Sequence, residues 1–218
     1  MNAPDKKSLR SQLRRARAAI GPRARREAAL KISRLVARLH LLRHDRRIGF
    51  YIPNKGELDI LPLMNRALAV GAPCYLPKLP LRSLKRMWFT RLGNHARHWR
   101  LNRFGIPEYD DRRSKRLRAQ QLDLIFVPLL GFDDAGYRLG MGGGFYDTSL
   151  AYLRRRRQWR RPKLVGVAFD CQHVERVPHD PWDVPLDLAV TEKRIYRFSN
   201  QPEVLKHSRG GTNSSRVC

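Results

Sequence analysis

The sequence predicts a three-layer α/β/α single domain around a central, mostly parallel sheet. Short apolar runs rich in β-forming residues alternate along the chain with amphipathic helical patterns, and such alternation puts helices on both faces of a parallel sheet. The 218 residues suit one domain with a tail better than two domains, and 42% hydrophobic against 29% charged residues allow a packed core. The longest uncharged stretch, Ala67 to Pro77, is far shorter than the ~18 to 20 apolar residues of a membrane span, so no membrane partner is expected. The domain is placed at residues 1–198, and the polar, Gly/Ser-containing segment 199–218 is read as a disordered tail.

From Lys6, Leu9, Leu13, Ala16 and Ile20 recur at helical spacing, with Asp5 as N-cap and Gly21-Pro22 as punctuation. Ala28, Ala29, Ile32, Leu35, Val36 and Leu39 make the stripe of a second helix. Arg47 to Pro53 is short, apolar and β-forming, hence a first buried strand, followed by a loop, Asn54 to Leu58, that turns at Gly56. Asp59 caps a helix reaching Val70 and closed by Gly71, and Ala72 to Pro77 is the next strand. Strands are further expected at Met87 to Leu92, Leu122 to Pro128, Lys163 to Phe169 and Leu188 to Tyr196, with a helix from Phe145 to about Gln158.

Lys and Arg number 45 against 19 acids, a formal charge of +26, which makes polyanions plausible partners. The basic residues crowd residues 1–50, 82–118 and 154–163, whereas Ala119 to Leu150 and Val165 to Glu192 hold a single Arg each beside several Asp. A nucleic-acid binder concentrates cations and aromatic rings on its working face. The excess is therefore a solvated background that steers small anions, with nucleic acid bound only non-specifically. Cys74, Cys171 and Cys218 form no CxxC pair, which leaves a zinc cluster or a disulfide framework without sequence support and fits a reducing cytoplasm.

The most informative run is GYRLGMGGGFYD, Gly136 to Asp147, between a strand and a helix. Gly140, Gly142, Gly143 and Gly144 let backbone approach a ligand, and a following helix offers unpaired N–H groups to an anion, so the run suits a phosphate; a tight strand-to-helix connection is the plainer alternative. It has no Walker A ending, and Phe145 occupies the last glycine position of a GxGxxG fingerprint. Asp147 suits a magnesium ion beside that phosphate, or merely the helix dipole. Arg138 can grip phosphate or lie on the surface. In PWDVPLD, Pro181 to Asp187, prolines fix Asp183 and Asp187; Asp183 is either a second metal contact or a turn residue, and Trp182 can stack on a flat ring.

With KKSLR at Lys6 to Arg10, YIPNKGELD at Tyr51 to Asp59, YRLGMGGGFYD at Tyr137 to Asp147 and PWDVPLD, the chain resembles the 5-formyltetrahydrofolate cyclo-ligase, or 5,10-methenyltetrahydrofolate synthetase, family over Lys6 to Ile195. The resemblance implies a CoA-transferase-like three-layer fold and a cytoplasmic, monomeric enzyme using ATP and Mg2+. It places ATP at Lys6, Lys7, Ser8, Leu9 and Arg10 and along Arg138, Leu139, Gly140, Met141, Gly142, Gly143, Gly144, Phe145 and Tyr146. It places the folate at Ile52, Glu57 and the loop Met141 to Phe145, and magnesium at Asp147 and Asp183. Lys6 and Arg138 become the catalytic cations, and the Arg-rich N-terminal helix belongs to the enzyme rather than to a transit peptide. One departure stands out: in FGIPEY, Phe104 to Tyr109, Tyr109 replaces the family's proline.

The implied reaction closes 5-formyltetrahydrofolate to 5,10-methenyltetrahydrofolate with release of ADP and phosphate, through a phosphorylated formyl (imidate) intermediate. Phosphoryl transfer needs positioning and charge neutralisation rather than an activated nucleophile, in keeping with the absence of GxSxG and HExxH motifs. Two other readings compete: an ATP-binding paralogue acting on another formylated or pterin-like molecule, and a basic nucleic-acid-binding protein on the same fold.

Overall fold

The helical stripes become α1 (Lys6–Ala18), α2 (Pro22–Arg38) and α3 (Leu61–Ala69) in a computed structural model that describes residues 5–54, 56–80, 86–93, 96–111, 113–155 and 161–198. The expected tail, 199–218, lies outside the described residues. Pro22 opens α2 behind Gly21, where its missing N–H is no loss. Two expected caps differ. Asp5 holds the N-cap position of α1 without a side-chain capping bond, its carbonyl instead accepting from the Leu9 amide at 3.0 Å. Asp59 acts one residue early: its Oδ1 accepts from the Leu61 amide at 2.9 Å, while buried Ile60 occupies the cap.

The strands are β1 (Ile48–Gly49), β2 (Cys74–Lys78), β3 (Trp88–Arg91), β4 (Trp99–Leu101), β5 (Pro107–Tyr109), β6 (Leu124–Val127), β7 (Gly131–Phe132), β8 (Arg138–Leu139), β9 (Lys163–Val167), β10 (Leu188–Val190) and β11 (Ile195–Arg197). Seven of them make one sheet in the order β11-β10-β9-β6-β1-β2-β3. The five inner strands are parallel, and the edge strands β3 and β11 run antiparallel to their neighbours.

β6 shows why the centre holds. Its four residues are all buried, as expected of a parallel strand covered on both faces. Leu124 and Phe126 meet the α2 and α3 side with Ile48, Phe50, Val165 and Val190, whereas Ile125 and Val127 meet the other side with Leu150, Leu153, Leu164 and Ala189. That second layer is thin. Its helix is α4 (Phe145–Leu150), continued as 3-10 turns through Ala151–Arg155, shorter than the expected span to Gln158; residues 156–158 lie outside the described set.

The segment Leu188 to Tyr196, read as one strand, is a hairpin of β10 and β11. Thr191 makes the bend, its Oγ1 accepting from the amides of Lys193 at 3.3 Å and Arg194 at 3.2 Å. Two further hairpins, β4–β5 and β7–β8, have no counterpart in the sequence reading. The β7–β8 turn closes on buried Asp133, whose Oδ1 accepts from Ala135 and Tyr137 amides and whose Oδ2 accepts from the Val177 amide. On its other side this hairpin packs α1, through Leu9, Leu13, Leu130, Leu139 and Val177. α1 is thereby anchored beside the ends of the central strands.

Candidate active site

A cleft of about 540 Å³ opens beyond the carboxyl ends of β1, β2 and β6, where Ile52, Pro77 and Pro128 line it. Ligand sites of parallel α/β sheets lie at this edge. Three walls meet there: the start of α1, the loop after β1, and the run from β8 into α4.

The β8-to-α4 run is pinned at both ends. Arg10 Nε donates to the Gly140 carbonyl at 3.0 Å. Gly142 at φ +101 and Gly144 at φ +68 take left-handed conformations that glycine adopts readily, and Gly144 then turns the chain directly into α4. Beneath the loop, the side chain of Arg138 is 5% exposed and donates to both the Val184 carbonyl and Asp147 Oδ1. The guanidinium thus ties β8, the PWDVPLD turn and the first turn of α4 together, and it braces Asp147.

Asp183 faces the same space from the PWDVPLD turn, where its Oδ2 accepts from the Asp180 amide at 2.9 Å. Lys6 Nζ bonds Asp180 and lies 3.7 Å from Asp183, so its ammonium is already among carboxylates. Asp187 lies apart from the cleft lining and accepts from the Leu164 amide at 2.6 Å, bracing the turn against β9.

Glu57 enters from the loop after β1. Its Oε2 accepts from the Asn54 amide at 2.9 Å, and burial pushes its carboxyl above the usual range against the pull of that amide and of Arg17. Tyr146 lines the cleft, its buried hydroxyl having no hydrogen-bond partner among the described residues; burial, with the Glu57 charge beside it, pushes the phenol well up.

The cleft brings together Lys6, Arg10, Ile52, Glu57, the whole stretch Arg138 to Asp147, and Asp183. It does not include Lys7 and Ser8, which are exposed elsewhere, or Leu9, which is core. Trp182 and Met141 stand at its mouth, 56% and 52% exposed. Trp88 and Trp99 stay out of it, under Arg118 and against Tyr109 respectively.

The sequence reading missed Asp180, the partner of Lys6, and the rim formed by the β4–β5 hairpin. Asn102 shapes that turn, its Oδ1 accepting from the amides of Phe104 and Ile106, and Phe104 then meets the Phe145 ring edge-on at 6.2 Å. Tyr109, the residue that departs from the family pattern, is 1% exposed and packs edge-on against Trp99, so the substitution fills core space. The two described thiols are poor nucleophiles: burial pushes Cys74 up to about 12 and also raises Cys171. Among the described residues no group of three His, Cys, Asp or Glu is placed to hold a metal, and no helix is long and apolar enough to cross a membrane.

Comparison with known proteins agrees with this architecture. The profile of the 5-formyltetrahydrofolate cyclo-ligase family matches residues 2–192. A 5-formyltetrahydrofolate cyclo-ligase of Escherichia coli is 36% identical over 155 residues, covering 69% of this chain and 80% of the relative. That of Haemophilus influenzae is 32% identical over 193 residues, covering 87% and 100%. The solved 5,10-methenyltetrahydrofolate synthetase of Aquifex aeolicus superposes with a TM-score of 0.74 at 30% identity, covering 94% of this chain and 99% of that one. Motif order, cleft geometry and these likenesses agree: the chain belongs to the 5-formyltetrahydrofolate cyclo-ligase family and is, by that membership, a ligase of folate metabolism.

Proposed function

We propose that the chain closes 5-formyltetrahydrofolate to 5,10-methenyltetrahydrofolate while converting ATP to ADP and phosphate, as a cytoplasmic monomer. The observation that carries this reading is the meeting, in one cleft, of a glycine loop with two cations on one side and a half-buried, ionisable Glu57 on the other. A formamide oxygen is a weak nucleophile and a poor leaving group. Its attack on the γ-phosphorus expels ADP and turns it into a phosphate ester of the imidate. N10 of the folate then attacks the formyl carbon, loses its proton, and phosphate departs with the carbon–oxygen bond.

In this reading, Lys6, Arg10 and the amides of the loop and first α4 turn hold the phosphates, so that charge moving toward the β–γ bridge meets fixed donors. Arg138 keeps Asp147 aimed at them. Ile52, Glu57 and the apolar side of Met141 to Phe145 hold the folate, with the Tyr146 hydroxyl free for either ligand. Asp147 and Asp183, both on the cleft lining, would hold magnesium, which takes one or two carboxylates plus phosphate oxygens and water rather than a cage of three acids. When bound there it would neutralise phosphate charge.

The direct test is absorbance detection of methenyltetrahydrofolate from purified protein, 5-formyltetrahydrofolate, ATP and magnesium. ATP-dependent product is expected; ATP binding without product would point to the paralogue reading, and neither to the nucleic-acid reading. Lys6→Met is expected to raise KM for ATP about tenfold, the loss of one charge-assisted contact, with KM for the folate unchanged. Initial rates over an ATP series check this, and an equal rise in both KM values would contradict it.

A further inference from the structure

Glu57 reaches the cleft directly after Gly56, where the chain bends with φ +76. Two arginines grip that bend from behind. The Arg17 guanidinium lies against Gly56, where a Cβ would sit 3.5 Å from Nη2 and 3.6 Å from Nε. Arg25 donates to the Gly56 carbonyl at 3.1 Å, to the Ile20 carbonyl at 2.9 Å, and to the carbonyl of Arg17 itself.

Arg17 lies on an Arg-rich surface helix yet is only 4% exposed, and it is not among the side chains lining the cleft. Burying a guanidinium is costly unless opposite charge and acceptors face it. Burial lowers the Arg17 pKa, and the Glu57 charge is the strongest influence raising it again. Tyr51 and Tyr146 also face this pair, both held neutral by burial, together with Arg25 and Arg14; Asp59 in turn acts on Tyr51 and Arg138 on Tyr146.

We infer that Arg17 is a positioning residue for the folate half of the cleft: it fixes the chain at Gly56 and so places the neighbouring Glu57 toward the ligand. The inference rests on the reading of Glu57 as a folate contact. At the other end of the same helix Arg10 bonds the glycine loop and Lys6 bonds Asp180, Lys6 about 16 Å from Arg17 at 1.5 Å per residue. The action of Arg17 is therefore confined to one substrate.

The test uses the full chain, with Arg17→Met and Arg17→Lys beside Glu57→Gln. For Arg17→Met, KM for 5-formyltetrahydrofolate should rise about tenfold while KM for ATP stays within about twofold, as for one lost charged support. Without the cation, burial raises the Glu57 pKa further. The acid limb of kcat/KM for the folate should then move to higher pH, a shift that vanishes in the Arg17→Met, Glu57→Gln double variant. Arg17→Lys keeps the charge but not the planar fork, so its acid limb should stay nearer wild type while its folate KM still rises.

If both KM values rise together, if neither rises, or if the acid limb stays in place, Arg17 is merely structural and the proposal fails. Should Arg17→Met not fold, Arg17→Lys answers by the same split between the two KM values. If Glu57→Gln itself leaves the folate KM unchanged, the reading of Glu57 fails. If Glu57→Gln raises that KM and Arg17→Met does not, the positioning role alone is lost.

Discussion

Asp147→Ala is expected to lower kcat for ring closure about 10³-fold or more in a protein that still folds. The carboxylate stands in the first turn of α4, 39% exposed, beside the glycine loop and held by Arg138. If it carries the metal that neutralises the transferring phosphate, its removal withdraws several kcal/mol of charge stabilisation, and each 1.36 kcal/mol is a factor of ten. Asp147→Asn separates the two duties of this residue. The amide oxygen can still accept from Arg138, but the charge is gone, so the Asn variant should be nearly as inactive as the Ala variant at an unchanged Tm. Activity above about a tenth of wild type in Asp147→Asn would mean that Asp147 serves only to brace Arg138.

Leu13→Ala should produce the largest loss of stability, about 2–5 kcal/mol. Leu13 is 3% exposed and sits so tightly over β7 that a Cβ on Gly131 would meet its Cδ1 at 2.6 Å. The Gln172 carbonyl lies 3.2 Å from that same point, so backbone as well as side chains surround the space, and a cavity there closes poorly. For a domain of this size the cost corresponds to a Tm lower by about 5–15 °C. Because α1 carries Lys6 and Arg10, KM for ATP should rise as well. Thermal unfolding and an ATP series measure both, and an unchanged Tm would show that α1 is not docked by this cluster.

What could be read from the sequence is what short-range pattern encodes. The apolar run around β6 and the glycine run before α4 signal themselves within a dozen residues, and Asp147 and Asp183 follow from their neighbours. Arg17 does not: on a helix rich in arginine it looks solvated, and its burial is imposed by a loop some forty residues later. The role of Asp133 is equally hidden, since its three amide partners include Val177 from a distant segment. The β4–β5 hairpin escaped because its turn is built by the Asn102 side chain rather than by an Asn-Gly or Pro-Gly pair. Thr191, a good strand former by composition, bends the chain through its hydroxyl and splits one expected strand into two.

The lining of the cleft runs against the charge of the whole molecule. Among the described residues its cations are Lys6, Arg10 and Arg138, outnumbered by Glu57, Glu108, Asp147, Asp180 and Asp183, in a chain of formal charge +26. In the proposed reading an anionic substrate is drawn in by the outer surface and received among described side chains that are acidic on balance. The outer attraction acts over distances that mobile ions screen, whereas contacts inside the cleft are shielded from them. Added salt should accordingly slow capture and leave the bound complex alone: kcat/KM for both substrates falls with ionic strength while kcat stays level.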